Sequence, residues 1–126
     1  MILGYTCGYF DVLHIDHIRL LRQAASLCDE LFIGLATDER VAEAKGHPIF
    51  PYEERKEMLI ALDIVPKDHI IPDSKGSLGA LKSNLYDVYF KGENWENRLP
   101  DEEIKVCKDL NIKIIYIPVT KPKRSL

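Results

Sequence analysis

Cys7-Gly8-Tyr9-Phe10-Asp11-Val12-Leu13-His14-Ile15-Asp16-His17 lies between an apolar run, Ile2 to Tyr5, and an amphipathic one, Ile18 to Leu27. The change of periodicity predicts a strand that ends at Gly8 and a helix that starts near Asp16. Backbone N–H groups left free at such a turn, with the positive end of the helix dipole behind them, make an anion site. His14 and His17 add two imidazoles three residues apart, so both can face one side of the first helical turn. Gly8 lets a ligand approach the backbone closely. A His-x-x-His pair by itself more commonly caps a helix or faces water. The strand before this pair, the glycine and the helix after it point instead to phosphate chemistry. A zinc site would need a third ligand that the sequence does not place nearby. No Gly-x-Gly-x-x-Gly follows any strand, which argues against a dinucleotide site.

Outward from this stretch, apolar runs of strand length alternate with helical patterns, without repeats or low-complexity segments. Strands are predicted at Ile2–Cys7, Glu30–Ala36, His69–Pro72, Tyr86–Lys91 and Lys113–Pro118. Helices are predicted at Asp16–Leu27, Asp38–Ala44, Pro51–Leu62, Ser77–Leu85 and Asp101–Asn111. Pro51 suits a first-turn position. Asp101, Glu102 and Glu103 put negative charge at the positive end of their helix. The alternation argues a parallel α/β sheet with right-handed crossovers, whose ligands bind beyond the carboxyl ends of the strands.

At 126 residues the chain is long enough for one domain with its own core and too short for two, so residues 1–126 are read as one domain. A net charge of −3 gives no basic face for nucleic acid. No run reaches the ~18 apolar residues of a membrane helix, and the N-terminus enters a strand directly, so neither a membrane span nor a signal peptide is expected. Cys7, Cys28 and Cys107 are odd in number and widely spaced, which reads as reduced thiols in a cytoplasmic protein.

Transfer of a nucleotidyl group from a triphosphate to an acceptor phosphate requires no nucleophile from the protein, because the acceptor carries one. The protein must position the reactants and neutralise charge on the phosphate oxygens. Two histidines at a helix start meet that need. At these residues the chain resembles the cytidylyltransferases of the His-x-Gly-His nucleotidyltransferase superfamily, and among them the small glycerol-3-phosphate cytidylyltransferases. The resemblance rests on Gly8 to His17, Ala36-Thr37-Asp38-Glu39, Lys45-Gly46-His47-Pro48, Glu54-Arg55 and Lys91-Gly92-Glu93-Asn94-Trp95. It implies a Rossmann-like, doubly wound domain with a five-stranded parallel sheet, Mg²⁺ as cofactor and a homodimer. It also implies transfer of CMP from CTP to a small phosphorylated alcohol, with release of pyrophosphate. An ATP-dependent relative, of the kind that makes ADP-heptose or FAD, is the alternative within the class. A non-catalytic nucleotide-binding module is the alternative outside it.

The same resemblance implies roles for single residues. The Tyr9 and Phe10 backbone, with Gly8, would touch the nucleotide, and His14 and His17 would stabilise its transferring and leaving phosphates. Lys45 would close over the phosphates, and Arg55 would line the acceptor or phosphate site, unless its charged helix start simply faces water. Gly92, Glu93, Asn94 and Trp95 would lie against base and ribose, with packing as the other reading of Trp95. Asp11 either approaches the acceptor and Mg²⁺ or holds the turn. Asp38 reads as a helix cap.

Departures from the family pattern fall at four places. Asp16 replaces the glycine of His-x-Gly-His; at ~4 Å from a phosphate a second negative charge costs roughly 1–4 kcal/mol. Asp16 could instead cap the helix, bind Mg²⁺ or meet a cationic acceptor. Glu93-Asn94 replaces Asp-Asp. Val119 stands where an arginine of the closing motif is expected, with Lys121, Lys123 and Arg124 as substitute cations, Ser125 as the first of the closing Ser/Thr run, and a flexible or truncated tail over 119–126. Leu62 to Ile71 departs from the segment associated with the dimer contact.

Overall fold

The apolar run at the N-terminus forms strand β1, Leu3–Gly8, and occupies the centre of the sheet. The computed structural model describes residues 1–118. The expectations for Val119, Lys121, Lys123, Arg124, Ser125 and the tail therefore lie outside the described residues. Strands β2 (Glu30–Ala36), β3 (Ile70–Asp73), β4 (Val88–Gly92) and β5 (Lys113–Ile117) run parallel to β1 in the order β3-β2-β1-β4-β5. Helices α1 (Ile15–Ser26), α2 (Asp38–Lys45), α3 (Tyr52–Ala61), α4 (Ser77–Lys82) and α5 (Asp101–Asp109) supply the crossovers. The doubly wound parallel sheet expected from the sequence is what the chain forms.

Side chains that alternate along each strand divide the core between the two faces. Leu31, Ile33 and Leu35 of β2, with Val88 and Phe90 of β4, pack against Leu21 and Ala24 of α1 and Leu59 of α3. Tyr5 of β1 and Tyr89 of β4 face the other way, against Leu81 of α4 and Cys107 of α5. Burial on both faces is what a parallel sheet requires. Gly34 belongs to this packing, because a side chain there would overlap the hydroxyl of Tyr5.

β2 has the expected bounds, and the other elements differ from theirs by at most three residues at an end. Helix α1 begins at Ile15 with His14 as its N-cap, so Asp16 lies inside the first turn and is not the cap. Thr37, not Asp38, caps α2 through its side-chain oxygen. Pro51 caps α3 from just outside it. Helix α4 stops at Lys82, and Asn84 turns the chain with φ 58°.

The sheet order reverses between β1 and β4. β1 pairs with β2 from Leu3 to Gly8 but with β4 only at Gly4 and Tyr5. Just beyond, the Thr6 hydroxyl donates to the Phe90 carbonyl at 2.9 Å and takes over from the ladder. The strands part above it, which opens the switch-point crevice where such sheets bind ligands.

Candidate active site at the carboxyl edge of the sheet

His14 is extended (φ −139°, ψ −179°), as an N-cap must be, and its Nδ1 accepts the N–H of Asp16 at 3.1 Å. His17 Nδ1 accepts the N–H of His14 at 3.2 Å, and the ring centroids are 4.7 Å apart. An Nδ1 that accepts from backbone carries no proton, so each neutral ring keeps its hydrogen on Nε2. Both rings line one cavity of about 620 Å³. Burial, then the neighbouring His14 and Lys45 charges, hold His17 below the ordinary imidazole value, against the opposing charge of Asp16. Each ring, accepting a backbone N–H at Nδ1, presents its Nε2–H as a donor at the positive end of a helix.

The turn ahead of them is held from beneath. Phe10 is buried at φ 46°, a backbone region that costs a non-glycine residue about 1–3 kcal/mol. Asp11 is 5% exposed, and its carboxylate accepts the N–H groups of Ile49 (3.0 Å) and Phe50 (3.1 Å). Burial pushes this carboxyl up, but the Ile49 and Phe50 amides, with the charges of Arg55 and Lys45, outweigh it and leave it below the usual range. Arg55 is fully buried and donates to the carbonyls of Tyr9 (2.9 Å), Ala36 (2.7 Å) and Phe50 (2.9 Å) and to Asp38 (2.7 Å). The solvated alternative for Arg55 is thereby corrected: its guanidinium ties the Tyr9 turn to the end of β2 and lines neither hollow of the site. Asp11 holds the same turn from the wall of the smaller hollow.

Lys45 Nζ and Arg40 Cζ lie 5.1 and 5.4 Å from the centroid of the Tyr9 ring, within cation–π range. Lys45 lines a second hollow of about 430 Å³ that shares Tyr9, Phe10 and His17 with the first and adds Asp11 and His47. The structure therefore brings Lys45 and His17 to one space. At the end of β4, Lys91, Gly92, Asn94 and Trp95 line the large cavity, with Trp95 41% exposed and Lys91 Nζ 4.4 Å from its ring centroid. Glu93 lies on the same turn but not on that wall.

Arg40, Ser77, Tyr89 and Glu103 also line the large cavity, and His47 the smaller one; none of the five is among the site residues expected from the sequence. Tyr89 has the pattern of a core strand residue and Glu103 that of a solvated helix start. Only the sheet topology brings β4, α4 and α5 to one wall.

A switch-point cavity with paired imidazoles at a helix start and cations around it defines an α/β protein built to handle phosphates. Residues 5–122 match the cytidylyltransferase-like family model, and the chain belongs to this family of nucleotidyltransferases. It is 35% identical over 116 residues to FAD synthase from Methanosarcina acetivorans, covering 90% of this chain and 75% of that one. It is 30% identical over 117 residues to glycerol-3-phosphate cytidylyltransferase from Bacillus spizizenii, covering 91% and 84%. Among solved structures it is similar to a lipopolysaccharide core biosynthesis protein from Thermoplasma volcanium, with a TM-score of 0.73, 25% identity and coverage of 98% and 99%. No helix among the described residues is long and apolar enough to cross a membrane.

Proposed function

We propose that this nucleotidyltransferase moves the nucleotidyl group of a triphosphate onto the phosphate of a small hydroxylated ester. An acceptor phosphate oxygen attacks the α-phosphorus in line, the new P–O–P bond forms, and the bond to the bridging oxygen of the β-phosphate breaks to release pyrophosphate. The observation that carries this reading is the mutual capping of His14 and His17, which leaves both Nε2–H groups as donors beside the cavity. Such donors stabilise charge that grows on phosphate oxygens without reorganising. Lys45 serves the same charge from the adjoining hollow. Gly92, Asn94 and Trp95 take the nucleoside.

The donor is CTP and the acceptor glycerol 3-phosphate-like in the reading favoured by Trp95 at the cavity and by the cytidylyltransferase relative. ATP is the donor in a second reading, favoured by the 35% identity to an FAD synthase. Mg²⁺ belongs to either. The described residues hold no cluster of three or more metal-ligating side chains, and Mg²⁺ in such sites takes most of its ligands from substrate phosphates and water, with one or two carboxylates. Asp16 is the carboxylate on the cavity wall beside the histidines. A cytoplasmic homodimer completes the proposal; sedimentation of the purified protein as a monomer at micromolar concentration would remove the dimer.

Pyrophosphate release with Mg²⁺ tests the function, using CTP, ATP, GTP and UTP against glycerol 3-phosphate, FMN and sugar phosphates. Release with one pair identifies donor and acceptor class together. Triphosphate binding without release from any pair would instead assign a nucleotide-binding module.

A further inference from the structure

The large cavity has a second polar wall that the phosphate chemistry does not use. α1 packs on one face of the sheet and α4 and α5 on the other, so this wall stands across the sheet edge from the histidines. Ser77 opens α4, Tyr89 lies in β4 and Glu103 is in the first turn of α5. The Ser77 hydroxyl donates to Glu103 Oε1 at 2.8 Å. The Tyr89 hydroxyl lies 2.8 Å from Ser77 Oγ and 2.9 Å from the same Oε1. Ser77 and Tyr89 are 5% and 1% exposed. Burial, with the charges of Cys7 and Glu103, pushes the Tyr89 phenol up, so it remains a protonated donor. Two hydroxyl groups thus hold one oxygen of the carboxylate in place. No hydrogen bond from the described residues reaches Oε2, and Glu103 lines the cavity.

A guanidinium lines the same cavity as this acceptor. Arg40 lies against Gly76, the residue before Ser77, with Nη1 3.7 Å from Asp73 Oδ2 and Nε buried without a hydrogen-bond partner. Gly76 has φ 92°, and a methyl group there would stand 3.1 Å from the Arg40 guanidinium. The backbone therefore both requires glycine and leaves the guanidinium its place.

This pairing selects by chemistry. A carboxylate only accepts hydrogen bonds and a guanidinium only donates them. Phosphate is repelled by Glu103, ammonium is repelled by Arg40, and an apolar group leaves both unsatisfied. A hydroxyl donates to one and accepts from the other. The nucleoside, under the reading above, takes the end of β4, which leaves this wall to the acceptor. We propose that Glu103, fixed by Ser77 and Tyr89 and sharing its cavity with Arg40, reads the hydroxyl groups on the carbon chain of the acceptor. Glu103 is a specificity residue in direct contact with the acceptor, and Ser77 and Tyr89 are positioning residues.

This inference rests on the nucleotidyl-transfer reading, and two measurements separate their failures. With a donor–acceptor pair that the wild type turns over, Glu103→Gln raises the acceptor KM about tenfold or more, with the triphosphate KM and kcat within about twofold. Ser77→Ala raises the acceptor KM less. An unchanged acceptor KM, or a raised triphosphate KM that marks the ribose as the hydroxyl source, overturns the assignment. The second measurement needs no turnover. Backbone amide spectra of the wild type are recorded with glycerol 3-phosphate, FMN, inorganic phosphate and CTP in turn. The amides of Gly76, Ser77 and Glu103 move with glycerol 3-phosphate or FMN and not with inorganic phosphate. Failure of both esters to move them, or a response to CTP alone, overturns the proposal even where no pair releases pyrophosphate.

Discussion

His17 Nδ1 accepts the backbone N–H of His14 at 3.2 Å, so the second histidine of the pair caps the first. The bond joins fold to function. It closes the start of α1, and in occupying Nδ1 it fixes the tautomer whose Nε2–H the proposed mechanism turns on phosphate.

His14→Asn separates the two roles. Asparagine is a good N-cap and replaces the Nδ1 acceptor but not the distal N–H, so stability stays within about 0.5 kcal/mol. Turnover falls by about 10²–10³, the usual loss for one preorganised donor. Steady-state kinetics beside a denaturant melt checks this, and wild-type kcat in the variant would remove His14 from the mechanism.

The depressed pKa of His17 gives stability a direction with pH. Between its folded value and the ordinary imidazole value near 6.5, the unfolded chain binds more protons than the folded one, so stability rises with pH across that window. Acidification from pH 7 to 5 therefore lowers the melting temperature, and His17→Asn flattens that slope. A wild-type slope no steeper than the variant's would contradict the assignment. Asp11 acts lower down: its depressed carboxyl contributes stability that is lost as pH falls below about 4.

Arg55→Met is expected to damage the fold and not the acceptor site. It strands the carbonyls of Tyr9, Ala36 and Phe50 and leaves Asp38 unpaired. Because Asp38 is 44% exposed and can be solvated again, a loss of about 3 kcal/mol is expected, at the lower end for breaking a buried pair. Chemical denaturation measures it. Full stability with a raised acceptor KM would return Arg55 to the acceptor wall.

Asp16→Asn keeps the size of the side chain and removes its charge. With a carboxylate on the wall proposed to receive a triphosphate, neutralisation is expected to lower the triphosphate KM two- to tenfold, about 0.4–1.4 kcal/mol of relieved repulsion. A raised KM would instead show Asp16 serving the metal or the acceptor.

Gly34→Ala is expected to cost about 1–3 kcal/mol through overpacking against the Tyr5 hydroxyl. Tyr5→Phe in the same chain should recover part of that loss, a non-additivity read from a double-mutant cycle of unfolding energies.

Much of this was open to a reader of the sequence alone. Ile2 to Tyr5 and Glu30 to Ala36 have the apolar density of buried parallel strands, and the helical periods between them allow few topologies. His14 and His17 were legible because their chemistry depends on a local event, the end of a strand and the start of a helix within ten residues. Asp38 was misjudged as a cap because Thr37 satisfies α2 first. The burial of Arg55 is not legible, because the charged run Glu53 to Glu57 has no apolar period to mark which of its members points inward.

The alternation, the parallel sheet and the strand-to-helix turn at His14 are written in the chain itself, because each follows from periodicities and termini set within a few residues. That Arg55 lies beneath that turn, and that Ser77 and Tyr89 meet at one oxygen of Glu103, follows from packing alone. Those contacts join residues 12 to 46 positions apart, and which of them meet depends on strand order and on the face each helix covers. Local pattern carries no record of either.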